Sequence, residues 1–248
     1  GQSVNIVYSD ATKGWLPLED DVTADAPTPP PTQKAIFAFG RPVAVSNIAN
    51  LVNSSGVIAS DTSGVGTARE TLAATAYGGD KAIMAYGTAG GVVSLSNLVN
   101  NSGALAADVT GVGTARASLA AAKYGTDKGI FGFGDNPSGQ LNMTNLVNNS
   151  GVIATDTTGV GTARSFPAAA GYGSSGQAIF GYGYPGANSS LTNLVSNVGV
   201  VATDTTGVGT AREKLGAAGY GGDKAIFGYG TNGGNVSMTN LVSSSGVV

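Results

Sequence analysis

Residues 156–183 read DTTGVGTARSFPAAAGYGSSGQAIFGYG, and residues 204–230 read DTTGVGTAREKLGAAGYGGDKAIFGYG. The two stretches are near-copies, so the chain contains an internal repeat. The tripeptide Asn-Leu-Val marks the same period elsewhere, and it begins at Asn50, Asn97, Asn145, Asn193 and Asn240. These starts lie 47 or 48 residues apart. The sequence is therefore built from units of about 48 residues.

Each unit holds four apolar segments separated by turn residues. In the unit that follows Arg69, the segments are residues 72–77, 81–86, 92–99 and 104–108. Short runs of this kind, bounded by Gly, Asn and Ser, are typical of β-strands joined by tight turns. Four short antiparallel strands per unit predict an all-β propeller of four-stranded blades, in which neighbouring blades bury each other's faces.

The second segment of each unit carries two large side chains, two residues apart. Residues two apart share a face of a strand, so the sequence predicts a ridge of two large side chains on one face of each blade. The first member of each pair is Phe37, Met84, Phe131, Phe180 or Phe227, and the second is Phe39, Tyr86, Phe133, Tyr182 or Tyr229.

The amino-acid composition excludes several classes of active site. The chain of 248 residues contains no Cys and no His, which excludes thiol nucleophiles, Cys/His zinc sites and histidine-based acid–base pairs. The net charge of −3 does not favour nucleic-acid binding. No apolar run reaches the roughly 18 residues of a membrane span. We therefore expect a non-enzymatic protein without a metal or cofactor, without nucleic acid and without membrane insertion.

The repeats occupy only part of the chain. Residues 34–248 form four blades, at 67–113, 114–160, 161–209 and 210–248, plus a partial one at 34–66 that lacks a first strand. The expected strand after Val248 is missing as well. Either the natural chain continues beyond this point or another strand fills the gap, since an open edge exposes unpaired backbone groups.

Two segments precede the repeats. Residues 1–19 read as a β-hairpin that carries Tyr8 and the single Trp, Trp15. Residues 20–33 form an acidic linker with four prolines, which favour a stiff, extended spacer. An isolated hairpin is barely stable in water, so we expect it to pack on the propeller, on a partner subunit or on a preceding domain. Tyr8 and Trp15 are the predicted assembly residues.

Aspartate and arginine recur eight residues apart in four units. A carboxylate and a guanidinium at constant spacing predict a structural, partly buried ion pair in each blade. The alternative is an arginine cluster that binds carboxylates, as in sialidase propellers. The predicted pairs are Asp61/Arg69, Asp108/Arg116, Asp156/Arg164 and Asp204/Arg212.

The loop after the second segment differs from copy to copy, while the rest of each unit scarcely changes. Variable loops on one face of a rigid frame are typical of a binding surface, although unconstrained loops would also drift apart. The candidate ligand-binding residues are Arg41, Asp135, Asn136, Gln140, Tyr184, Asn188, Asn232 and Asn235.

Residues 223–230, Asp-Lys-Ala-Ile-Phe-Gly-Tyr-Gly, follow an arginine and a run of small residues and precede a variable loop. This order resembles the kelch-type β-propeller repeat. Residues 132–141 also resemble the propeller repeats of the regulator of chromosome condensation. The near-identical Asp-Thr-Thr-Gly-Val-Gly-Thr-Ala-Arg copies are similar to repeats in phage and metagenomic tail-fibre-like proteins. Both propeller resemblances imply the same architecture.

These observations favour a structural or adhesive module of an extracellular or virion-surface filament. Its expected partners are other subunits of the same fibre, in a homo-oligomer or filament, and surface glycans. One alternative is a lectin-like propeller with a discrete sugar pocket. The other is a glycoside hydrolase, which requires two placed carboxylates, whereas the variable loops contribute only Asp135.

Overall fold

The computed structural model describes residues 6–10, 14–17 and 35–248. This part of the chain is all β, without a helix, and therefore without a helix that could cross a membrane. A hairpin of β1 (Ile6–Asp10) and β2 (Gly14–Pro17) comes first, and Tyr8 lies opposite Trp15 in its register. The side chains of this hairpin, and the proline-rich linker, lie outside the described residues.

The repeats supply the remaining strands. Repeat one (35–66) contains β3 (Ala35–Gly40) and β4 (Ser46–Val52). Repeats two (67–113), three (114–160), four (161–209) and five (210–248) each place three strands in one antiparallel sheet. The strands after β4 are β5 (Ala73–Tyr77), β6 (Lys81–Ala85), β7 (Ser96–Val99), β8 (Ala120–Tyr124), β9 (Lys128–Gly132), β10 (Asp135–Asn136), β11 (Gly139–Gln140), β12 (Thr144–Val147), β13 (Ala168–Tyr172), β14 (Gln177–Gly183), β15 (Ser189–Val195), β16 (Gly216–Tyr220), β17 (Lys224–Gly228) and β18 (Thr239–Val242), and all but β10 and β11 belong to these three-stranded sheets.

The second strand lies at the centre of each sheet. In repeat four, β14 pairs with β13 along one edge and with β15 along the other. The small two-stranded ribbon β10–β11 lies in the variable loop of repeat three. In repeat one, the sheet contains β3 and β4 alone. The period and the order of strands within a unit are thus as the sequence predicts.

The fourth predicted strand is absent from every described sheet. The segment that follows the third strand pairs with it only through isolated bridges, such as Val147 with Ile153 and Thr144 with Thr157. Repeats two, three and four are therefore three-stranded sheets with an irregular fourth segment along the outer edge, and repeat one has two strands and the same irregular segment.

The repeats stack in chain order. The first strands β5, β8, β13 and β16 lie side by side, and β13 also packs on β17 of the next repeat. Backbone hydrogen bonds join successive repeats at their hairpin turns, from Gly125 N–H to the Gly176 carbonyl for example. Among the described strands, no sheet closes on itself.

The two large side chains of each second segment point in opposite directions, so the predicted one-sided ridge is wrong. Phe131 packs edge-to-face on Tyr86 of the preceding repeat, with ring centroids 5.4 Å apart. Phe133 packs on Phe180 of the following repeat at 5.2 Å. The cause is the backbone of Phe133, whose φ of 62° takes it out of the extended conformation and turns its side chain over. Each sheet therefore contributes one large side chain to each neighbouring repeat.

Candidate binding edge and the buried arginine network

The variable loops lie along one edge of the stack. A ladder of backbone hydrogen bonds crosses the repeats at this edge, from Ser118 N–H to the Thr71 carbonyl, from Phe166 to Ser118 and from Lys214 to Phe166. The residue that precedes each of these positions in the chain forms an isolated β-bridge with the first residue of a variable loop. These bridges are Glu70–Thr88, Ala117–Asp135, Ser165–Tyr184 and Glu213–Thr231.

The structure brings the candidate loop residues to this common edge with different degrees of exposure. Exposed side chains belong to Arg41, Gln140, Asn232 and Asn235, whereas Asp135, Asn136, Tyr184 and Asn188 are half-buried. A row of half-buried polar groups beside exposed amides is suited to hydrogen-bond a polar ligand.

Asp135 is the one acid within the variable loops. Burial raises its pKa above the ordinary value, while a hydrogen bond with the Ser118 side chain acts in the opposite direction. The described residues contain no group of three or more acids that could hold a metal ion.

Two further acids lie at this edge and escaped the sequence-based selection. Glu70 accepts a hydrogen bond from Arg41 at 2.8 Å, and Glu213 lies 3.4 Å from Lys214. The sequence itself indicates that this position belongs to the variable edge, because the residue after the constant arginine differs between copies. That position is occupied by Glu70, Ala117, Ser165 and Glu213.

The repeated arginines lie inside the stack. Arg69, Arg116, Arg164 and Arg212 are fully buried. In repeat three, Arg116 donates to Asn145 Oδ1 at 2.7 Å and to the Thr114 carbonyl at 3.2 Å. Its guanidinium also covers the ring of Tyr86 in the preceding repeat, 4.2 Å from the centroid. These contacts occupy the guanidinium within the fold.

The aspartate partners differ from those predicted. Arg69 pairs with Asp108 at 3.6 Å, Arg116 with Asp156 at 3.9 Å and Arg164 with Asp204 at 3.9 Å. Each aspartate therefore pairs with the arginine that opens its own repeat, and not with the arginine eight residues after it. In repeat one, Asp61 accepts a hydrogen bond from Asn50 instead. Arg212 donates to Asn240 Oδ1 and to the carbonyls of Thr210 and Tyr229.

Burial is the largest single influence on the pKa of these aspartates, but their hydrogen bonds and the arginine charge together outweigh it. Burial by itself raises the pKa of Asp156, but hydrogen bonds from Thr114 and Asn145, together with the charge of Arg116, lower the pKa overall. Asp108 and Asp204 have the same surroundings and the same direction of shift. Burial lowers the pKa of Arg164 to about 10, so this guanidinium is charged at neutral pH. In repeats two, three and four, the buried arginine, its asparagine and its aspartate thus form a charged structural unit, which we call the clasp. In repeat three its members are Arg116, Asn145 and Asp156.

Comparisons with known proteins add no family to this picture. No family model matches the chain, and no curated protein matches it.

Proposed function

We propose that this chain is a non-enzymatic structural or adhesive module of an extracellular or virion-associated filament, with kelch-like blades arranged as a propeller. The observation that carries the proposal is the division between frame and loops. The buried clasp and the packing of large side chains recur from repeat to repeat, while the sequences that differ lie along one edge. Selection for a binding surface acts on such loops without disturbing the frame.

The ligand class that suits this edge is a surface glycan. Asn136, Asn188 and Tyr184 are half-buried and so partly fixed in position, and they offer amide and phenol groups to hydroxyls. Fixed polar groups lose little side-chain entropy when they bind. The partners are thus surface polysaccharides along the loops and other fibre subunits at the attachment points, with the segment of Tyr8 and Trp15 joining the module to the fibre.

The experiment exchanges one loop for another. Residues 135–140 are replaced by the loop of repeat two, Thr88–Val92, and binding to a glycan array is compared with that of the unaltered chain. We expect the bound glycan signal to fall at least tenfold while the melting temperature changes by less than a few degrees. The matched control replaces Ser174 and Ser175, at the opposite edge, with Gly and Asp. Equal binding by the loop variant and the unaltered chain contradicts the proposal.

A hydrolytic function is the second candidate, because burial shifts the pKa of Asp135 upward, the direction that a general acid requires. Asp135→Asn separates the two functions. If the site hydrolyses glycans, the unaltered chain releases reducing sugar and the variant does not; if the site only binds glycans, neither protein releases reducing sugar.

A further inference from the structure

Four side chains form a row across the loop edge of the stack, one from each of repeats two to five. They are Thr71, Ser118, Phe166 and Lys214, the residues of the backbone ladder at this edge. Each has a positive φ, between 53° and 57°. Hydrogen bonds of 2.8–3.2 Å join each member to the next, so neighbours in the row are about 5 Å apart. We call these four residues the edge row.

The backbone of the edge row favours glycine, yet no member is glycine. A left-handed conformation strains any residue that has a Cβ, and glycine occupies most of the positive-φ positions in the described chain. Phe133 and its counterparts are also exceptions, but their side chains fill the joints between repeats. The members of the edge row lie at the surface instead, where they are exposed or half-buried. Packing of the frame thus gives no reason for side chains at these positions.

Phe166 is the aromatic member of the edge row. It belongs to none of the three buried clusters that form the core of the described chain. The ammonium group of Lys214 lies 4.7 Å from its ring centroid, so a long, exposed side chain covers one face of the ring. The neighbour on the other side is Ser118, the smallest member of the row. The ring is therefore placed to stack against the apolar face of a ligand that lies over Ser118.

Polar groups border this ring. The Ser118 hydroxyl hydrogen-bonds with Asp135, the first residue of the variable loop in repeat three. The same two positions are in contact in repeat two, where Thr71 Oγ1 lies 3.3 Å from Thr88 Oγ1. In repeat four, the β-bridge at this position brings Tyr184 beside the edge row. The aromatic member of the row thus has a hydroxyl–carboxylate pair on one side and a phenol nearby.

We infer that Phe166 is the stacking platform for one residue of a neutral polysaccharide. The hydroxyls of this sugar bond to Ser118, Asp135 and Tyr184. The inference rests on the proposed function and deepens it, because it names the ligand class and the residues that recognise it. A pyranose ring has an apolar face of C–H groups and a rim of hydroxyls, which an aromatic ring bordered by hydroxyl and carboxylate groups complements. Both repeats that build the platform have a described repeat on either side, so the site is the same in an open stack and in a closed ring.

The charges along the edge favour a neutral sugar. The Lys214 ammonium lies 3.4 Å from a carboxylate oxygen of Glu213. The Arg41 guanidinium lies 2.8 Å from Glu70, so both cations are balanced. Asp135 takes part in none of the described ion pairs, and its carboxylate would repel a uronate or a sialate. Because the spacing of about 5 Å along the row is similar to that of successive sugars in an extended chain, such a polysaccharide lies along the row with one sugar per position.

Isothermal titration calorimetry with three neutral polysaccharides, a glucan, a galactan and a mannan, tests the platform. Phe166→Asn removes the ring and introduces a residue that tolerates a positive φ. We expect this variant to bind about tenfold more weakly than the unaltered chain, whereas Phe166→Tyr should bind within about twofold. Thr126→Asn is the matched control, because Thr126 also has a positive φ, of 72°, but is exposed in the turn between β8 and β9. Its affinity should equal that of the unaltered chain.

Melting temperatures separate a role in binding from a role in folding. All three variants should melt within a few degrees of the unaltered chain. If Phe166→Asn unfolds, Phe166→Leu takes its place, since leucine keeps an apolar contact but has no aromatic face. A leucine variant that binds as tightly as the unaltered chain overturns the inference.

Two further results overturn it. One is equal binding by Phe166→Asn and the unaltered chain, and the other is binding of polygalacturonate in place of the neutral polysaccharides. The exchange of residues 135–140 tests the proposed function separately. If that exchange removes binding and Phe166→Asn does not, the platform is wrong and the proposed function stands. If the unaltered chain binds neither these polysaccharides nor any glycan of the array, both are wrong.

Discussion

The amide of Asn145 holds the clasp of its repeat together. Its oxygen accepts from Arg116, and its nitrogen donates to the Ala154 carbonyl and to Asp156 at 3.0 and 2.9 Å. Asn145→Leu keeps the volume but leaves a buried guanidinium short of a partner. We expect this variant to lose about 3 kcal/mol of unfolding free energy, measured by urea denaturation.

Repeat one supplies the matched control for this variant. Asn50 occupies the same position, but among the residues that the structure describes its amide bonds only to Asp61 and to the Ala59 carbonyl, at an exposed site. Asn50→Leu should cost less than about 1 kcal/mol, since no buried charge loses a partner. Equal losses for the two variants would show that the arginine does not depend on the amide.

The aspartates of the clasp make stability depend on pH. Because the pKa of Asp108, Asp156 and Asp204 is lower in the folded chain, the unfolded chain takes up protons first as the pH falls. Their contribution is complete above the unfolded pKa of about 4 and is lost as the pH falls through the folded pKa. We expect the urea midpoint to be level from pH 7 to about pH 5 and to fall below pH 4.

Two variants test how much of the stability lost in acid depends on Asp156. Asp156→Asn removes one of the three carboxylates, so its urea midpoint should fall less steeply with acid. Thr114→Val removes only the hydroxyl hydrogen bond of 2.7 Å to Asp156, and its curve should lie between the other two. Identical slopes for all three proteins between pH 5 and pH 2 would contradict this account.

At the scale of strands, Thr75 on β5 and Gly129 on β9 show how neighbouring repeats adjust to each other. A Cβ at Gly129 would lie 2.6 Å from the Thr75 methyl carbon. In repeats three and four, the position of Thr75 is held by Ala122 and Ala170, which share a buried core cluster with Ala178 and Ala225, respectively. The larger Thr is thus matched by the smaller Gly.

A double-mutant cycle tests this match. Gly129→Ala alone should cost about 1–3 kcal/mol, because the new methyl group overfills the contact. Adding Thr75→Ala should restore the stability of the parent chain, since the pair then equals the Ala–Ala pairs of the other repeats. As a control, Thr75→Ala and Gly228→Ala should have additive effects, because the nearest neighbour of a Cβ at Gly228 is Thr239, at 3.6 Å. Additive effects for Thr75 and Gly129 would show that the two positions do not compensate.

The first three strands of each unit were predictable from the sequence, but the ion-pair partners of the arginines were not. The period, the turn residues and the apolar runs determine the first three strands of each unit, as for β5 and β6. The aspartate partner of Arg116 was not predictable from spacing, because a repeat offers one aspartate eight residues before the arginine and another 40 residues after it. The later aspartate, Asp156, is the partner because the chain after the third strand returns to the start of its own repeat, where Arg116 lies.

The direction of the large side chains could not be predicted from the sequence for a different reason, namely an unusual backbone conformation. Tyr86 and Phe133 have positive φ values of 67° and 62°, a conformation that these residues rarely adopt. The glycines that follow them marked only the end of a strand in the sequence. The same turn makes each sheet two-sided, which is what allows repeats to stack and leaves a different face at each end.

At the scale of the whole molecule, contacts between neighbours predict that the stack tolerates the loss of an end repeat. A chain that stops at residue 209 lacks repeat five, while Arg164, Asn193 and Asp204 keep their contacts within repeat four. We expect this chain to remain folded with the same β-type circular dichroism per residue. Its melting temperature should be lower, because the joint of Tyr182 with Phe227 is gone.

A second deletion tests the same rule at an interior position. Removing residues 114–160 takes out repeat three as a whole and brings Phe180 to the place of Phe131, against Tyr86. Because the replaced and the replacing side chains are both Phe, the new joint should form, and the shortened chain should unfold in a single transition. An open stack tolerates both deletions, since each repeat needs only its neighbours. A ring closed in solution tolerates neither without opening, so loss of the fold in both shortened chains, monitored by circular dichroism on heating, would show that the ends of one molecule meet each other.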